Sequence, residues 1–224
     1  GPDKHGIYPE YMNPYIKAPG KFRFFDKIKD FYTAGGIDYI DNFDVIRSHK
    51  ADNPANVLYY ADDTHWNREA ALIAFNNAMS KINNNFVPVK HEFRYSRHIN
   101  GDLIRNTRNI RKSVLDNATI INHEKYPIRI PSLVDGKTET SEFDLNFSPL
   151  MDTKIENDRA PDERTVILIS DSYGWYYAPY IVEHFKKVYF INRRHDLNII
   201  SGYLTDVDAD FMFYLTVERE VDEA

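Results

Sequence analysis

The stretch Thr165-Val166-Ile167-Leu168-Ile169-Ser170-Asp171-Ser172-Tyr173-Gly174 decides the fold class. Its first five residues form a near-continuous β-prone run without polar alternation. Such a run reads as a strand of a parallel sheet covered on both faces. A helix is predicted to follow from about Tyr173 to Lys186, with Pro179 inside it as a point of kinking or restart. Val188-Tyr189-Phe190-Ile191 is the next predicted strand, and Phe211 to Val217 the last. Strands alternating with helices at this spacing predict an α/β fold with a mainly parallel sheet.

The N-terminal part reads in the same way. Phe24, Ile28 and Phe31 fall at i, i+4 and i+7, which predicts a helix over 20–33 that Gly35-Gly36 stops. Ile37 to Ile40 reads as a short strand and Asp41 to His49 as a helix. Val57-Leu58-Tyr59-Tyr60 reads as a buried strand. A helix over about 67–82 then carries Ala71, Leu72, Phe75, Ala78, Met79 and Ile82 on one apolar stripe. From about 86 to 160 the pattern weakens into short alternating pieces among Asn, Asp, Pro and Lys. This segment reads as a β-rich or irregular insertion, too long to be a simple loop. The expected organisation is a single domain over 1–224 that carries the insertion at about 86–160.

Composition removes several classes of function. Lys plus Arg is 28 against 34 Asp plus Glu, so the formal net charge is −6. A dedicated nucleic-acid binder needs a basic footprint, so no nucleic-acid partner is expected. Cysteine is absent, which excludes disulfides, Cys-ligated zinc, iron–sulfur clusters and thiol catalysis. No run of 18 apolar residues is present, and neither a signal nor a transit peptide is visible. Gly1-Pro2 resembles the scar of a cleaved tag. Any anchor to a membrane is therefore expected in segments outside this chain.

Two segments follow predicted strands and carry chemistry: Asp63-Thr64-His65-Trp66-Asn67 and Ser170-Asp171-Ser172-Tyr173-Gly174. Ligands of parallel α/β sheets bind outside the carboxyl ends of the strands. Ser172 sits at a tight strand-to-helix turn, where unpaired N–H groups at the helix start favour a developing oxyanion. A serine hydroxyl needs a base, and His65 is the candidate, with Asp63 holding its other ring nitrogen. Each motif alone has a plainer reading. Asp-x-His is a common tripeptide, and Asp171 or Ser172 can simply cap the next helix. Their co-occurrence at two strand ends favours the serine-enzyme reading. The Gly-x-Ser-x-Gly elbow fails because Ser170 stands at its first position. Asp62, Asp63 and His65 are possible metal ligands, but there is no paired-His motif. No phosphate-binding glycine loop is present, and no cofactor or metal is expected.

The order Asp63-Thr64-His65-Trp66, then Ser170-Asp171-Ser172-Tyr173, resembles the permuted SGNH-hydrolase-like domains of the AlgX/AlgJ group, which includes PatB-type and DHHW-type proteins. There an Asp-x-His-Trp block precedes a Gly-Asp-Ser-Phe block. The likeness extends to Pro2-Asp3-Lys4-His5-Gly6-Ile7-Tyr8-Pro9-Glu10-Tyr11, similar to the stretch after the family's first strand. It also takes in Tyr59-Tyr60, Asn67 to Ala71 and a closing Glu218-Arg219. It covers about residues 2–83 and 165–219. Ser170 and Tyr173 depart from the family's Gly and Phe.

The resemblance implies an SGNH-like three-layer sandwich and a bacterial polysaccharide O-acetyltransferase. Ser172 is then the nucleophile, His65 the base and Asp63 the orienting acid. Arg194, Tyr173 and Trp66 are the candidates for touching substrate. For Arg194 an ordinary surface arginine is the alternative. For Trp66 packing beneath the catalytic loop is favoured over offering a face to a sugar. The implied partners are a polysaccharide acceptor and an acetyl donor delivered by a membrane-bound O-acyltransferase, in an extracytoplasmic setting. An acetylesterase with the same triad and a non-catalytic polysaccharide-binding module are the alternatives.

Overall fold

The computed structural model describes residues 2–11, 24–97, 101–102, 115–146 and 149–217. Two compact units emerge. One comprises Gly1–Lys90, Tyr95–Asn117 and Thr216–Ala224, and the other His91–Arg94 and Ala118–Leu215.

The first unit is helical among its described residues. Its helices are α1 (Lys4–Ile7), α2 (Phe24–Ala34), α3 (Phe43–Asp52) and α4 (Arg68–Ile82). Helix α4 forms, with Ala71, Leu72, Phe75, Ala78 and Met79 of its stripe buried and Ile82 at its end exposed. Helix α2 forms too, but Phe31 on its predicted apolar stripe is 72% exposed. Gly36 follows it at φ +66° and turns the chain. The strand expected over Ile37–Ile40 does not form. The stretch is irregular, with Ile37 and Tyr39 exposed.

Leu58–Tyr60 is buried as expected and Val57 half-buried, but the run joins no sheet. Tyr59 makes a single antiparallel bridge to Trp66. Tyr60 N–H donates to the His65 carbonyl at 3.2 Å, and Asn67 N–H to the Leu58 carbonyl at 2.9 Å. Residues 58–60 thus fold back on 65–67, and the Asp-x-His motif sits in the tight turn between them. The apolar run that reads as a parallel strand is one arm of a short hairpin. α1 clasps this arm. Tyr59 Oη donates to the Pro2 carbonyl at 2.8 Å, and Leu58 N–H donates to Tyr8 Oη at 2.9 Å.

The second unit holds a six-stranded sheet. Its strands are β3 (Tyr126–Pro131), β4 (Thr138–Phe143), β5 (Thr153–Glu156), β6 (Asp162–Ser170), β7 (Phe185–Asn192) and β8 (Phe211–Leu215). Their order is β4-β3-β5-β7-β6-β8, and β1 (Glu92–Ser96) and β2 (Asn117–Ile121) make a separate two-stranded sheet. β6 lies between β7 and β8 and runs parallel to both. Beyond β7 the direction alternates, with β5, β3 and β4 each antiparallel to its neighbour. The sheet is therefore mixed rather than mainly parallel. The reason lies in the stretch read as β-rich: β3, β4 and β5 come from it, and β3 and β4 are joined by a tight turn. That turn closes through Ser132 N–H to the Lys137 carbonyl at 2.8 Å, with Gly136 at φ +68°.

The run that opened the reading behaves as expected. Val166, Ile167, Leu168 and Ile169 are all buried, so both faces of β6 are covered. Ile167 and Ile169 pack with Ile191 against Ile200, Tyr203 and Leu204 on or beside α6 (Leu197–Tyr203). Helix α5 (Gly174–His184) packs on β6 and β7. It runs unbroken through Pro179, whose ring nitrogen forfeits one helix hydrogen bond, and it ends where β7 begins. Glu218-Arg219 lies outside the described residues.

Candidate active site

The Asp–His turn belongs to the helical unit. Asp63 Oδ1 lies 2.5 Å from His65 Nδ1 and also accepts the His65 backbone N–H at 3.0 Å. Both side chains are nearly buried, at 9% and 13% exposure. With the carboxylate ionised, Nδ1 carries the proton and Nε2 the lone pair, the tautomer a general base needs.

Three charged side chains from distant parts of the chain fix this turn. Lys4 Nζ donates to the carbonyls of Tyr60, Ala61 (3.1 Å) and Asp63 (2.8 Å). Asp116 Oδ2 accepts the Ala61 N–H at 2.5 Å. Asp102 accepts the Thr64 N–H at 2.8 Å on one oxygen and the Thr64 hydroxyl at 2.6 Å on the other. Asn67 finishes the arrangement: its Oδ1 caps α4 at Ala70 N–H, and its Nδ2 donates to the carbonyls of Val57 and Asp116. Lys4 and Asn67 lie within the stretches that carry the family resemblance. Asp102 and Asp116 carry no sequence signal, because their partners stand 38 and 55 positions away.

Asp63, His65 and Asp102 bring three ligand-type atoms within 4.8 Å of one another. The side chains of the same three residues take part in the hydrogen bonds just described, so the cluster reads as a brace. Asp62, the other possible ligand, is 7% exposed, and its Oδ1 has no hydrogen-bond partner among the described residues.

The serine turn belongs to the sheet unit. β6 ends at Ser170, which pairs with Asn192 on β7 and Leu215 on β8. Asp171 is 3% exposed and organises the turn. Its Oδ1 accepts Tyr173 N–H at 2.8 Å, and its carbonyl accepts Gly174 N–H at 3.0 Å. Trp175 N–H donates to the Ser172 carbonyl at 3.2 Å. The amides of residues 173–175 are thus engaged within the turn. That corrects the expectation of unpaired N–H groups there. Ser172 itself is half-buried at the head of α5.

The substrate-contact candidates divide. Trp66 and Tyr173 are fully buried, at 0% exposure. Neither ring presents a face to a sugar, and both pack in the core. Arg194 is exposed, with its N–H on Asn192 Oδ1 at 3.0 Å. Its neighbour Arg193 lies against the serine turn, with Nε 3.7 Å from Asp171 Oδ2 and a side chain 11% exposed. The sequence reading selects Arg194 of the pair, whereas the arginine that meets Asp171 is Arg193, a contact that sequence does not display. His195 Nε2 lies 2.9 Å from Asp152 Oδ2, another His–Asp contact, beyond the end of β7.

Fold and half-sites describe one class: an α/β domain with a mixed six-stranded sheet, an Asp–His turn early in the chain and a serine turn after a central strand. Among solved structures, PatB1 of Bacillus cereus matches over 98% of this chain and 81% of its own, with TM-score 0.66 at 12% identity. A DHHW family protein of Eubacterium siraeum matches over 98% and 76%, with TM-score 0.66 at 17% identity. The O-acetyltransferase domain of Pseudomonas putida AlgJ matches over 100% and 74%, with TM-score 0.54 at 12% identity. The likeness is one of fold. No family model matches the chain, and no curated protein matches it by sequence.

Proposed function

We propose that this chain is the serine-dependent O-acetyltransferase domain of an extracytoplasmic protein that acetylates hydroxyls of a bacterial cell-surface or exopolysaccharide. The observation that carries the reading is the Asp63–His65 contact at 2.5 Å, in a chain whose fold is similar to that of an O-acetyltransferase domain. Residues 1–224 are read as one SGNH-like catalytic domain in which both half-sites act together.

In the first step Ser172 Oγ attacks the carbonyl of an acetyl donor while His65 Nε2 takes its proton, and Asp63 stabilises the imidazolium. The donor's leaving group departs with that proton, leaving acetyl-Ser172. In the second step a sugar hydroxyl gives its proton to His65 and attacks the acetyl carbonyl. The acetylated sugar leaves, and the Ser172 proton returns from the imidazolium. Water in place of the sugar gives the esterase outcome. The donor is delivered by a membrane-bound O-acyltransferase. Arg194 contacts acceptor or donor. Among the described residues no helix is long and apolar enough to cross a membrane, which is compatible with an anchor elsewhere in the protein.

The test is p-nitrophenyl acetate turnover with and without an oligosaccharide acceptor, wild type against Ser172→Ala. Wild type should release p-nitrophenol and yield acetylated sugar, and the variant should lose about 10³-fold or more in rate. Turnover without acetylated sugar would assign the esterase. Equal rates in the two proteins would remove Ser172 from the chemistry.

A further inference from the structure

Asp102 lies far from both sequence motifs, yet it touches the catalytic turn at three points. Its carboxylate takes both polar hydrogens of Thr64, the residue between Asp63 and His65. Its own backbone N–H donates to Asp63 Oδ2 at 3.2 Å. Asp63 therefore has one oxygen on His65 and the other on Asp102. Free rotation of that carboxylate would break both contacts.

Gly101 makes this approach possible. A Cβ built on Gly101 would stand 1.9 Å from the Asp62 carbonyl oxygen and 2.3 Å from its carbonyl carbon. Real side chains do not reach such distances, so only glycine lets this backbone lie on the turn. Close approach at Gly101 and the three-point contact at Asp102 are separate observations on the same two residues.

We propose that Gly101-Asp102 is a latch and that Asp102 is a positioning residue. It holds Thr64 and the second oxygen of Asp63, so that Oδ1 and the His65 ring stay in register. The inference rests on the reading of Asp63 and His65 as orienting acid and base. Asp102 transfers no proton and touches no substrate. Its effect therefore falls on the chemical step rather than on substrate affinity.

Asp102→Ala removes both acceptors and keeps the backbone contact. Asp102→Asn restores the acceptor for Thr64 N–H alone. Thr64→Val removes only the hydroxyl. Two readouts are used: steady-state kinetics with p-nitrophenyl acetate, and the downfield proton resonance of the His65 Nδ1–H held by Asp63. Asp102→Ala is expected to lower kcat by about 10- to 100-fold with KM within about 3-fold of wild type. Its His65 resonance should be broadened or lost. Asp102→Asn and Thr64→Val should fall between, and Asp102→Ala/Thr64→Val should lose less than the product of the single losses, because both act on one contact.

Wild-type kcat and an unchanged His65 resonance in Asp102→Ala would overturn the latch. If Asp102→Ala does not fold, wild-type values in both Asp102→Asn and Thr64→Val would overturn it. The resonance is read without turnover. If wild type shows no Ser172-dependent activity, the proposed function fails, while the resonance still decides whether Asp102 positions the pair.

Discussion

Ser170 stands where the resembling family carries glycine, and its side chain needs room at a crowded strand end. The room is found at Gly174. A Cβ there would lie 2.5 Å from Ser170 Oγ, 2.7 Å from Ser170 Cβ and 2.9 Å from the Phe190 ring. Ser170 Oγ is fully buried and lies 3.0 Å from the Asp171 carbonyl, to which it donates. The polar atom is therefore satisfied, and the extra atoms fill the gap that Gly174 leaves. Gly174→Ala should cost about 1–3 kcal/mol by overpacking and displace the turn that bears Ser172. Adding Ser170→Gly removes two of the three clashes, so the double variant should regain part of the lost stability and of any Ser172-dependent activity. Denaturant unfolding of both singles and the double closes the cycle. Strict additivity would show that the two positions do not share this space.

The elements differ in how openly the sequence displays them, and the cause is where each finds its partners. β6 and α4 are legible because their signals are local: four consecutive buried apolar residues in one, a helical stripe in the other. The arm at Val57–Tyr60 has the same apolar look as β6. Its partner is the nearby 65–67 arm, not a neighbouring strand, and composition does not report that difference. Likewise β3 to β5 read only as weak alternation, because β4 lies at the sheet edge with four of its six residues in solvent. In the candidate site, Asp63, His65 and Ser172 are legible as motif residues, whereas Lys4, Asp102 and Asp116 act across long separations and leave no periodicity. Asn67 joins the two kinds of information, being both the predicted start of α4 and a buried cross-link to Val57 and Asp116. Asn67→Ala loses the cap and strands one buried and one half-buried carbonyl, for an expected cost of about 2–4 kcal/mol. Asn67→Asp keeps the cap acceptor but sets a carboxylate against those carbonyls, so it should be no better than alanine. Thermal melts decide this. An aspartate variant as stable as wild type would show that the Nδ2 contacts contribute nothing.

At the scale of the molecule, charge and burial set how stability responds to acid. His184 ends α5 with its ring edge-on to Phe185, centroids 4.8 Å apart. Burial holds its pKa below the ordinary histidine value. Asp162 and Glu183 pull it upward and Arg164 pushes it further down. Asp162 also sits below the usual carboxylate range, because Arg164 grips both of its oxygens, Nε to Oδ1 at 2.8 Å and Nη2 to Oδ2 at 2.5 Å. The two shifts act in different windows. As pH falls through about 6.5, unfolded chains take up the His184 proton that the folded state resists, so stability drops. Asp162 contributes stability above the unfolded carboxylate value of about 4, and this is lost only as pH falls through that value and on to the folded one. Glu10, Asp135, Asp144 and Glu156 share this second limb with the same sign. His184→Gln should therefore flatten the limb that begins near pH 6.5 and trim only the Asp162 share of the carboxylate limb, whereas Asp162→Asn should shrink the carboxylate limb and deepen the histidine limb, because it removes a group that pulls His184 upward. The two tryptophans offer a reading for each unit: Trp66 is buried in the helical unit and Trp175 is 41% exposed in the sheet unit. In Trp175→Phe, fluorescence reports Trp66 alone. If the units unfold together, Trp66 should show the His184 limb as wild type does. If they unfold separately, that limb should vanish from the Trp66 signal and persist in the far-ultraviolet signal of the sheet. A limb near pH 6.5 that survives His184→Gln in both signals would place its origin at another group.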